Sequence, residues 1–550
     1  MTPDPLPETC TPAPKKSRGW VVGCIVFVLA LDLAFFWQRV GGAQHSEFGG
    51  HPDEGGHYVT GLFVRDAIVM AGRYAAGGCH GSPIKVGEDF ADDYYAHYPK
   101  VGLGVWPPFF YLVQAAWTLP FSPSRSSVLI LLCALAAVVA VQLFRVLREE
   151  FGTWPAALGA ALWLSLPLVR SYYGMVMAET LSTVTMFGAV LAFGDFLDRE
   201  KRGDALRFGL FAALAILTKG TGLALALAAP LALLFTRRFH LLKRPALWGA
   251  VMIVVVFAGP WTWATRNLGK GGWIEPSPSW HFTREAVPYY ATKFGLGLSL
   301  IVLLLFCVGV FVKFRAGSGS RGRWAAAGAF IISVLVFQSL APVGLEARHL
   351  IAALPAALMF AIAGFVTLTK PQPSATPAVV RRAPVVAVGL GLLVFASAVW
   401  PLTQKGFAGF APLADAMLGE AAPADVTLVS SDARGEGMFI SEVAMHEPRP
   451  GHTIRRASKA LASSSWSGSG YAPQFKSDAA VFDFLTSGKV QYLALDDAVP
   501  EDKRREQQNQ LRRVVVEHAD SFRLVASAEI TRDGEPQPAP VRLYKIQRRN

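Results

Sequence analysis

The stretch Gly19–His57 reads GWVVGCIVFVLALDLAFFWQRVGGAQHSEFGGHPDEGGH, a long apolar run followed closely by a compact polar motif. The run up to Val40 contains about 20 residues, long enough to cross roughly 30 Å of hydrocarbon as one helix. Lys15, Lys16 and Arg18 precede it, so its first residues should face the cytoplasm. The HPDEGGH motif would then leave the membrane on the outer side.

The remaining sequence repeats this apolar pattern many times. The chain has 550 residues, of which 52% are hydrophobic, with 14 Trp and 36 Phe. This excludes a single soluble domain and predicts an all-α membrane domain of about 11 transmembrane helices. The ten later spans are expected at Val128–Leu147, Trp154–Arg170, Thr180–Leu197, Leu206–Leu217, Gly222–Phe235, Ala246–Ala264, Phe294–Phe314, Trp324–Leu340, His349–Leu368 and Pro384–Leu402.

Basic residues set the expected orientation of these spans. Four connections rich in Lys and Arg alternate with poorly charged ones, and they contain Arg199 to Arg202, Arg237 to Arg244, Lys313 to Arg323 and Arg381 with Arg382. If these connections are cytoplasmic, the tail 1–18 is also cytoplasmic and the C-terminus is outside. The net charge of +12 then reflects membrane topology, and no nucleic-acid partner is expected.

The first outer loop, residues 41–127, carries two further apolar segments. Pro107–Phe121 (PPFFYLVQAAWTLPF) has about 15 residues and would invert every later loop if it crossed the membrane. We therefore expect it to lie in the interface as an amphipathic helix. Tyr58–Ala71 is a second such candidate, with Arg65 and Asp66 turned to water.

Composition changes to that of a soluble domain after Leu402. Strand-like and helix-like runs alternate there, which predicts a small α/β domain over 403–550, separate from the membrane domain 19–402. The expected strands and helices are Val426–Ser430, Ala479–Leu485, Val490–Leu495, Glu501–Ala519, Phe522–Ile530 and Val541–Ile546. Ser463–Gly470 reads as a flexible loop. Cys79 is the one cysteine expected outside, so no disulfide is expected in the exported parts.

Three carboxylates are candidates for chemistry. Asp53 and Glu54 lie between His51 and His57, although adjacent acids at a surface often form only a solvated turn. Glu179 follows the apolar sequence YYGMVMA at the predicted outer end of the fourth span. There, an acid must face a cavity or have a partner. The structural alternative is an acid favoured by the helix dipole at a first turn.

Cationic and polar groups lie at other predicted outer helix ends. These candidates for substrate binding are Lys219 in LTKGTG, Arg348 and His349 in GLEARH, and His97, Tyr98 and Lys100 in HYPK. Each alone is often a snorkelling side chain, and Arg348 could simply pair with Glu346. A set of cations beside two carboxylates is, however, what a phosphate leaving group and a hydroxyl nucleophile jointly require.

The order of these motifs resembles the GT-C membrane glycosyltransferases, in particular the bacterial branch similar to aminoarabinose transferases and protein O-mannosyltransferases. The resemblance covers Gly19 to Leu402. It implies that Asp53 is the general base, that Glu179 assists acceptor or cation binding, and that Lys219 and Arg348 hold the lipid phosphate.

This chain departs from the family pattern at two positions. Trp106 stands where aminoarabinose-type enzymes have a basic residue directly before Pro-Pro, and Lys100 is a candidate substitute for that residue. His349 stands where Tyr usually follows the arginine.

These residues and the resemblance together predict a membrane enzyme. It would move a sugar from a polyprenyl-phosphate donor to a hydroxyl of a glycan, lipid or protein acceptor, with inversion, on the outer face of the bacterial inner membrane. Glu54 is expected to cap the next helix or brace the loop. A divalent metal ion near His51, Asp53 and His57 is an alternative that their spacing leaves open.

Two other classes of function compete with the enzyme. An ion-coupled transporter with an extracytoplasmic domain would use similar acids and cations, but transporters place them near the membrane midplane on broken helices, often in repeated halves. No internal repeat is evident in this sequence. A scaffold or sensor whose outer domain binds a partner is the third class.

Overall fold

The computed structural model describes residues 19–78, 81–315, 321–371, 377–464, 470–532 and 538–547. Its α-helices are α1 (Gly19–Val40), α2 (Glu54–Ala75), α3 (Pro83–His97), α4 (Phe109–Thr118), α5 (Arg125–Phe151), α6 (Thr153–Ser165), α7 (Pro167–Tyr173), α8 (Glu179–Arg199), α9 (Arg202–Thr218), α10 (Leu225–Thr236), α11 (Pro245–Ala264), α12 (Trp280–Leu298), α13 (Leu300–Arg315), α14 (Arg321–Leu340), α15 (Leu354–Thr369), α16 (Pro377–Val399), α17 (Ala411–Glu420), α18 (Ala433–His446), α19 (Ala457–Ala460), α20 (Asp478–Phe484) and α21 (Glu506–Glu517). A 3₁₀ segment, Ala347–Ala353, leads into α15.

The predicted multi-pass membrane architecture is confirmed. Seven helices of the described residues are long and apolar enough to span a membrane, namely α1, α5, α8, α11, α14, α16 and α15 with its preceding 3₁₀ turn. The apolar helices α6, α9 and α10 are shorter. One expected span is wrong in shape: Phe294–Phe314 is not a straight helix, because α12 and α13 meet at an angle of 104° around Ser299.

Close backbone packing holds α15 against α13. A Cβ atom on Gly309 would lie 1.8 Å from the Phe360 carbonyl oxygen, and one on Gly364 would lie 2.0 Å from that of Leu305. Only glycine permits such an approach, as is common where membrane helices pack closely. This contact fixes the helix that follows the Arg348 segment.

The two ends of α8 carry different groups of charged side chains. Glu179 begins this helix, and near its other end Asp195 accepts a hydrogen bond of 2.6 Å from Arg323 Nε on α14. Lys219 follows the end of α9, and Arg348 precedes α15, both near Glu179. We call this the Glu179 end of the bundle. The basic connection residue Arg323 thus lies at the opposite end from the candidate site.

The C-terminal region contains the expected α/β layer. Its strands are β1 (Val426–Ser430), β2 (Thr453–Arg456), β3 (Ala462–Ser463), β4 (Ala472–Pro473), β5 (Tyr492–Asp496), β6 (Phe522–Ile530) and β7 (Ala539–Ile546). The main sheet has the order β2-β1-β5-β7-β6, with β1 parallel to β2 and β5, and with β7 antiparallel to β5 and β6. Most of the predicted flexible loop lies outside the described residues.

The loop after α1 is packed against this C-terminal region. Glu47 accepts hydrogen bonds of 2.8 to 3.0 Å from the backbone N–H groups of Gly409, Phe410 and Ala411 at the start of α17. Ser441 on α18 donates to the Gly55 carbonyl oxygen at 3.1 Å. The α/β layer therefore contacts the polar motif directly.

The helix over the Tyr58–Ala71 segment is confirmed within α2, but the expectation for two of its side chains is wrong. Arg65 and Asp66 do not point freely into water: they pair at 2.7 Å, and Arg449 Nε donates to Asp66 at 2.7 Å. The acid thus ties α2 to the C-terminal region. The other predicted interfacial segment, Pro107–Phe121, forms the short helix α4.

Candidate active site

Asp53 is held at the start of α2 by the short polar loop before it. It is the residue that precedes the first turn of this helix, and its backbone N–H donates to His51 Nδ1 at 3.1 Å. Its Oδ2 lies 3.5 Å from the same ring nitrogen. The side chain is partly exposed, so its carboxylate is accessible to a reactant.

Arg348 lies at the centre of the site and contacts three carboxylates. Its Nη2 donates to Asp53 Oδ2 at 3.3 Å and to Glu346 Oε1 at 3.0 Å. Its Nε lies 3.6 Å from Glu179 Oε1. One guanidinium thus joins the first loop, the start of α8 and the segment before α15. The predicted convergence of Asp53 and Glu179 is present.

Lys219 completes the charged cluster. Its Nζ donates to Glu179 Oε1 at 2.6 Å, whereas Glu179 Oε2 has no hydrogen-bond partner in the described structure. Glu179 is only 3% exposed. Such a buried acid requires cationic partners, and here Lys219 and Arg348 supply them. Helix α9 ends at Thr218, and this end of the helix brings the ammonium group of Lys219 to this depth.

The charges around Asp53 favour its ionised form. Burial alone would raise the pKa of Asp53, but His51, Arg348 and Lys100 outweigh burial and lower the pKa below its ordinary value of 3.8. Asp53 is therefore deprotonated near neutral pH, as a base must be.

Glu346 is ionised for a similar reason. Burial would raise its pKa, but a hydrogen bond with His51, at 3.0 Å, and the charge of Arg348 lower it to about 2. The expected Arg348–Glu346 pair is present, and it forms one part of a larger network. His51, bonded to Glu346, helps to position the loop of Asp53.

Glu54 is fully buried and points away from this cluster. Its Oε2 accepts from the Gly50 N–H at 2.8 Å, and its Oε1 accepts from the Val176 N–H at 3.1 Å and from Lys405 Nζ at 2.7 Å. This is the geometry of a brace, the role preferred for Glu54 in the sequence. Lys405 was missed, because nothing in its local sequence links it to a residue 351 positions earlier.

The residues named for a metal ion do not form a ligand set. His57 Nδ1 is 2.6 Å from Tyr111 Oη, and its ring stacks on Trp106 with centroids 4.1 Å apart. Burial lowers the pKa of His57 to about 4, so it is neutral. No group of three or more His, Cys, Asp or Glu side chains in the described ranges could hold a metal.

The HYPK residues contact the C-terminal region. Tyr98 Oη donates to Glu447 at 2.6 Å, and Lys100 Nζ donates to the Ala433 carbonyl oxygen at 3.0 Å and more weakly to that of Pro52 at 3.4 Å. Burial lowers the pKa of Lys100 to about 8. His97 Nδ1 bonds the Asp93 carbonyl oxygen at 2.7 Å. Of these residues, Lys100 is the one whose charge acts on Asp53.

His349 lies directly behind Arg348. It is buried, and its Nδ1 is 2.9 Å from Tyr290 Oη on α12. The sequence predicts His349 to be a substrate-binding residue. In the structure, its contact with Tyr290 instead supports the segment that carries Arg348.

Comparisons with known proteins identify the fold and a family match over part of the chain. Residues 105–263 match the family model described as dolichyl-phosphate-mannose-protein mannosyltransferase. ArnT from Cupriavidus metallidurans in the apo state aligns over 96% of this chain and 98% of its own, with 14% identity and a TM-score of 0.60. The chain has the GT-C fold. The same ArnT bound to undecaprenyl phosphate aligns over the same shares of both chains, with 15% identity and a TM-score of 0.57.

A second GT-C structure extends the likeness. The archaeal oligosaccharyltransferase AglB from Archaeoglobus fulgidus, in complex with an inhibitory peptide and a dolichol-phosphate, aligns over 87% of this chain and 70% of its own, with 12% identity and a TM-score of 0.50. No curated protein matches the chain in sequence. The family match and the GT-C fold together support membrane glycosyl transfer as the class of function.

Proposed function

We propose that the protein transfers a sugar from a polyprenyl-phosphate donor to an acceptor hydroxyl at the Glu179 end of the bundle. The observation that carries this proposal is the position of Arg348, which contacts both Asp53 and Glu179 while Lys219 contacts Glu179. The proposed base and the two proposed phosphate-binding cations thus belong to one connected network of charged side chains. The ArnT and AglB structures, which hold undecaprenyl phosphate and dolichol-phosphate, support such a donor.

The chemistry is a single displacement at the anomeric carbon. Asp53 accepts the proton of the acceptor hydroxyl as its oxygen bonds to that carbon, and the bond from the carbon to the phosphate oxygen breaks. The electron pair leaves with the polyprenyl phosphate, whose negative charge Lys219 and Arg348 stabilise. Attack opposite the leaving group inverts the anomeric configuration. Glu179 keeps both cations charged and in place.

The transporter alternative receives less support from this geometry. Asp53 precedes α2, Glu179 begins α8 and Lys219 follows α9, so the cluster lies at helix ends. Coupled transporters place such groups at broken helices near the membrane midplane. Among the described residues, the one sharp bend in a candidate span is at Ser299, outside the charged cluster.

Cellular lipids provide the first test of this function. Cells that lack the protein should accumulate a polyprenyl-phosphate sugar, and expression of the wild-type chain should remove it. Lipid extracts of both strains are compared by mass spectrometry. Equal amounts of every polyprenyl-phosphate sugar in the two strains would contradict the proposal.

Membrane orientation gives a separate prediction. A reporter fused after Leu402 should lie outside the cytoplasm, and one inserted at Gly317 should lie in the cytoplasm, because the basic connections favour the inner side. Alkaline phosphatase and green fluorescent protein fusions measure the two locations. If both positions report the same side, the proposed outer-face location of Asp53 is wrong.

The low pKa of Asp53 predicts that the transfer rate does not decrease as the pH is lowered through the mildly acidic range. Asp53 stays deprotonated above its pKa, which lies below 3.8, so the transfer rate should not fall through this group from about pH 8 to about pH 5. Loss of the Arg348 charge removes one cause of the low pKa. The acid limb of Arg348→Met should therefore move to higher pH. An acid limb at the same pH in both proteins would contradict this coupling.

A further inference from the structure

A cavity of about 230 Å³ adjoins both segments that carry the catalytic acids. Gly50, directly before the HPDEGGH motif, lines it, as do Tyr172 and Met175 from the segment before Glu179. Trp37 at the end of α1 contributes an aromatic ring. Pockets for whole drug-sized ligands have volumes of about 300 to 1,000 Å³, so this cavity suits one small group of a larger molecule.

The lining of this cavity is positively charged. It includes Arg170 and Lys405 but no Asp or Glu residue. Glu54 already neutralises Lys405, since their charged atoms are 2.7 Å apart. The charge that remains for a ligand is that of Arg170.

Arg170 is a buried cation without an acidic partner in the described structure. It is 6% exposed, and its Nη2 donates to the carbonyl oxygens of Val399 and Pro401 at 2.7 and 2.8 Å. Its guanidinium carbon lies 4.7 Å from the centre of the Trp37 ring. Its Nε has no hydrogen-bond partner among the described residues. Buried charges in proteins are nearly always paired, so this one calls for an anion.

We propose that this cavity binds an anionic group of the acceptor, a phosphate or a carboxylate, with Arg170 as its cationic partner. That the ligand is the acceptor rests on the proposed function. The donor phosphate is assigned to Lys219 and Arg348, and neither lines this cavity. The cavity instead shares Gly50 with the loop of Asp53, the base that must meet the acceptor hydroxyl. Trp37 and Tyr172 line the cavity with aromatic side chains, against which a sugar that carries the anionic group can pack.

Binding of small probes tests this site without turnover. The full chain in phosphatidylcholine nanodiscs is titrated by calorimetry with glucose 1-phosphate, glucuronate and glucose. We expect the wild-type protein to bind both anionic sugars and not glucose. Arg170→Gln should weaken the binding of both anionic sugars about tenfold or more, because a charge-assisted hydrogen bond is lost. Arg284→Gln, which removes an exposed cation on α12, should bind as the wild type does.

Two further variants keep the test decisive. Arg170→Gln also removes the bonds to Val399 and Pro401, so Gln404→Glu provides a variant that retains them. The Gln404→Glu variant adds a carboxylate to the cavity lining at an exposed position. Its negative charge should repel an anion, so this variant should also bind the anionic sugars more weakly. Lys219→Met should leave the binding of glucuronate intact, because glucuronate carries no phosphate for the donor site and Lys219 does not line this cavity.

Several results would overturn the anion site. They are failure of the wild type to bind either anionic sugar, unchanged binding in both Arg170→Gln and Gln404→Glu, and loss of glucuronate binding in Lys219→Met alone. A protein that binds the anionic sugars through Arg170 and never transfers a sugar would contradict the proposed function and leave the anion site standing.

Discussion

Asp53→Asn should lower the rate of sugar transfer by about 100- to 10,000-fold, the usual contribution of a positioned base. The amide cannot accept the proton of the acceptor hydroxyl, yet it has nearly the same shape and can still accept from Arg348 Nη2, now 3.3 Å away. The variant should therefore remain folded and inserted. The measurement is transfer from a polyprenyl-phosphate sugar to a cell-envelope extract, with purified proteins at equal concentration.

Asp89→Asn is a matched control for this change. Asp89 lies on α3 in the same loop, is exposed, and among the described residues forms an ion pair with the exposed Lys85 alone, at 2.6 Å. Its replacement should leave the transfer rate within about twofold of the wild type, as expected for a surface position. Full activity of Asp53→Asn would end the mechanism proposed here.

Loss of either phosphate-binding cation should have the next largest effect. Arg348→Met and Lys219→Met should each weaken use of the donor by about 1.5 to 3 kcal/mol, the contribution of a hydrogen bond to a charged group. This corresponds to about a 10- to 150-fold lower kcat/KM for the donor. Steady-state kinetics with varied donor concentration measure it.

Stability must be measured alongside these kinetics. Each replacement leaves the buried Glu179 with one cation instead of two, so the melting temperature should also fall. Arg284→Met is the control for removal of a cation that forms no part of the cluster. Unchanged donor kinetics in both Arg348→Met and Lys219→Met would contradict the assignment of the leaving group to these residues.

Much of the cluster is predictable because membrane topology restricts where polar groups can meet. Apolar runs and basic connections assign each helix end to one side, so Asp53, Glu179, Lys219 and Arg348 were expected together. In the structure, Arg348 contacts both acids and Lys219 contacts Glu179. Four strands of the C-terminal sheet follow from their apolar, β-rich runs, and Val426–Ser430 and Phe522–Ile530 match their predicted bounds, whereas the edge strand β2 is not predicted.

The features that sequence reasoning missed depend on contacts between distant segments. The bend at Ser299 follows no proline at that position, and its apolar neighbours resemble a continuous span. The sequence of α2 predicts that Asp66 faces solvent. In the structure, Asp66 forms an ion pair with Arg449 of the C-terminal region. Lys405, just beyond the last predicted span, looks like a surface residue until it meets Glu54.

The HYPK segment shows the same limitation. The sequence places His97, Tyr98 and Lys100 among the cationic and polar candidates for substrate binding. Tyr98 is instead bonded to Glu447, and Lys100 to the backbone of Ala433. Neither partner can be inferred without the packing of α18 against α2. The α/β layer is thus part of the support of the site.

Release of polyprenyl phosphate is the most direct measurement of the central claim. The purified chain in nanodiscs is incubated with a panel of polyprenyl-phosphate sugars, with and without cell-envelope extract, and free polyprenyl phosphate is quantified over time. We predict acceptor-dependent release from at least one donor by the wild type, and almost none by Asp53→Asn. Absence of release from every donor, or equal release by the two proteins, would contradict the account.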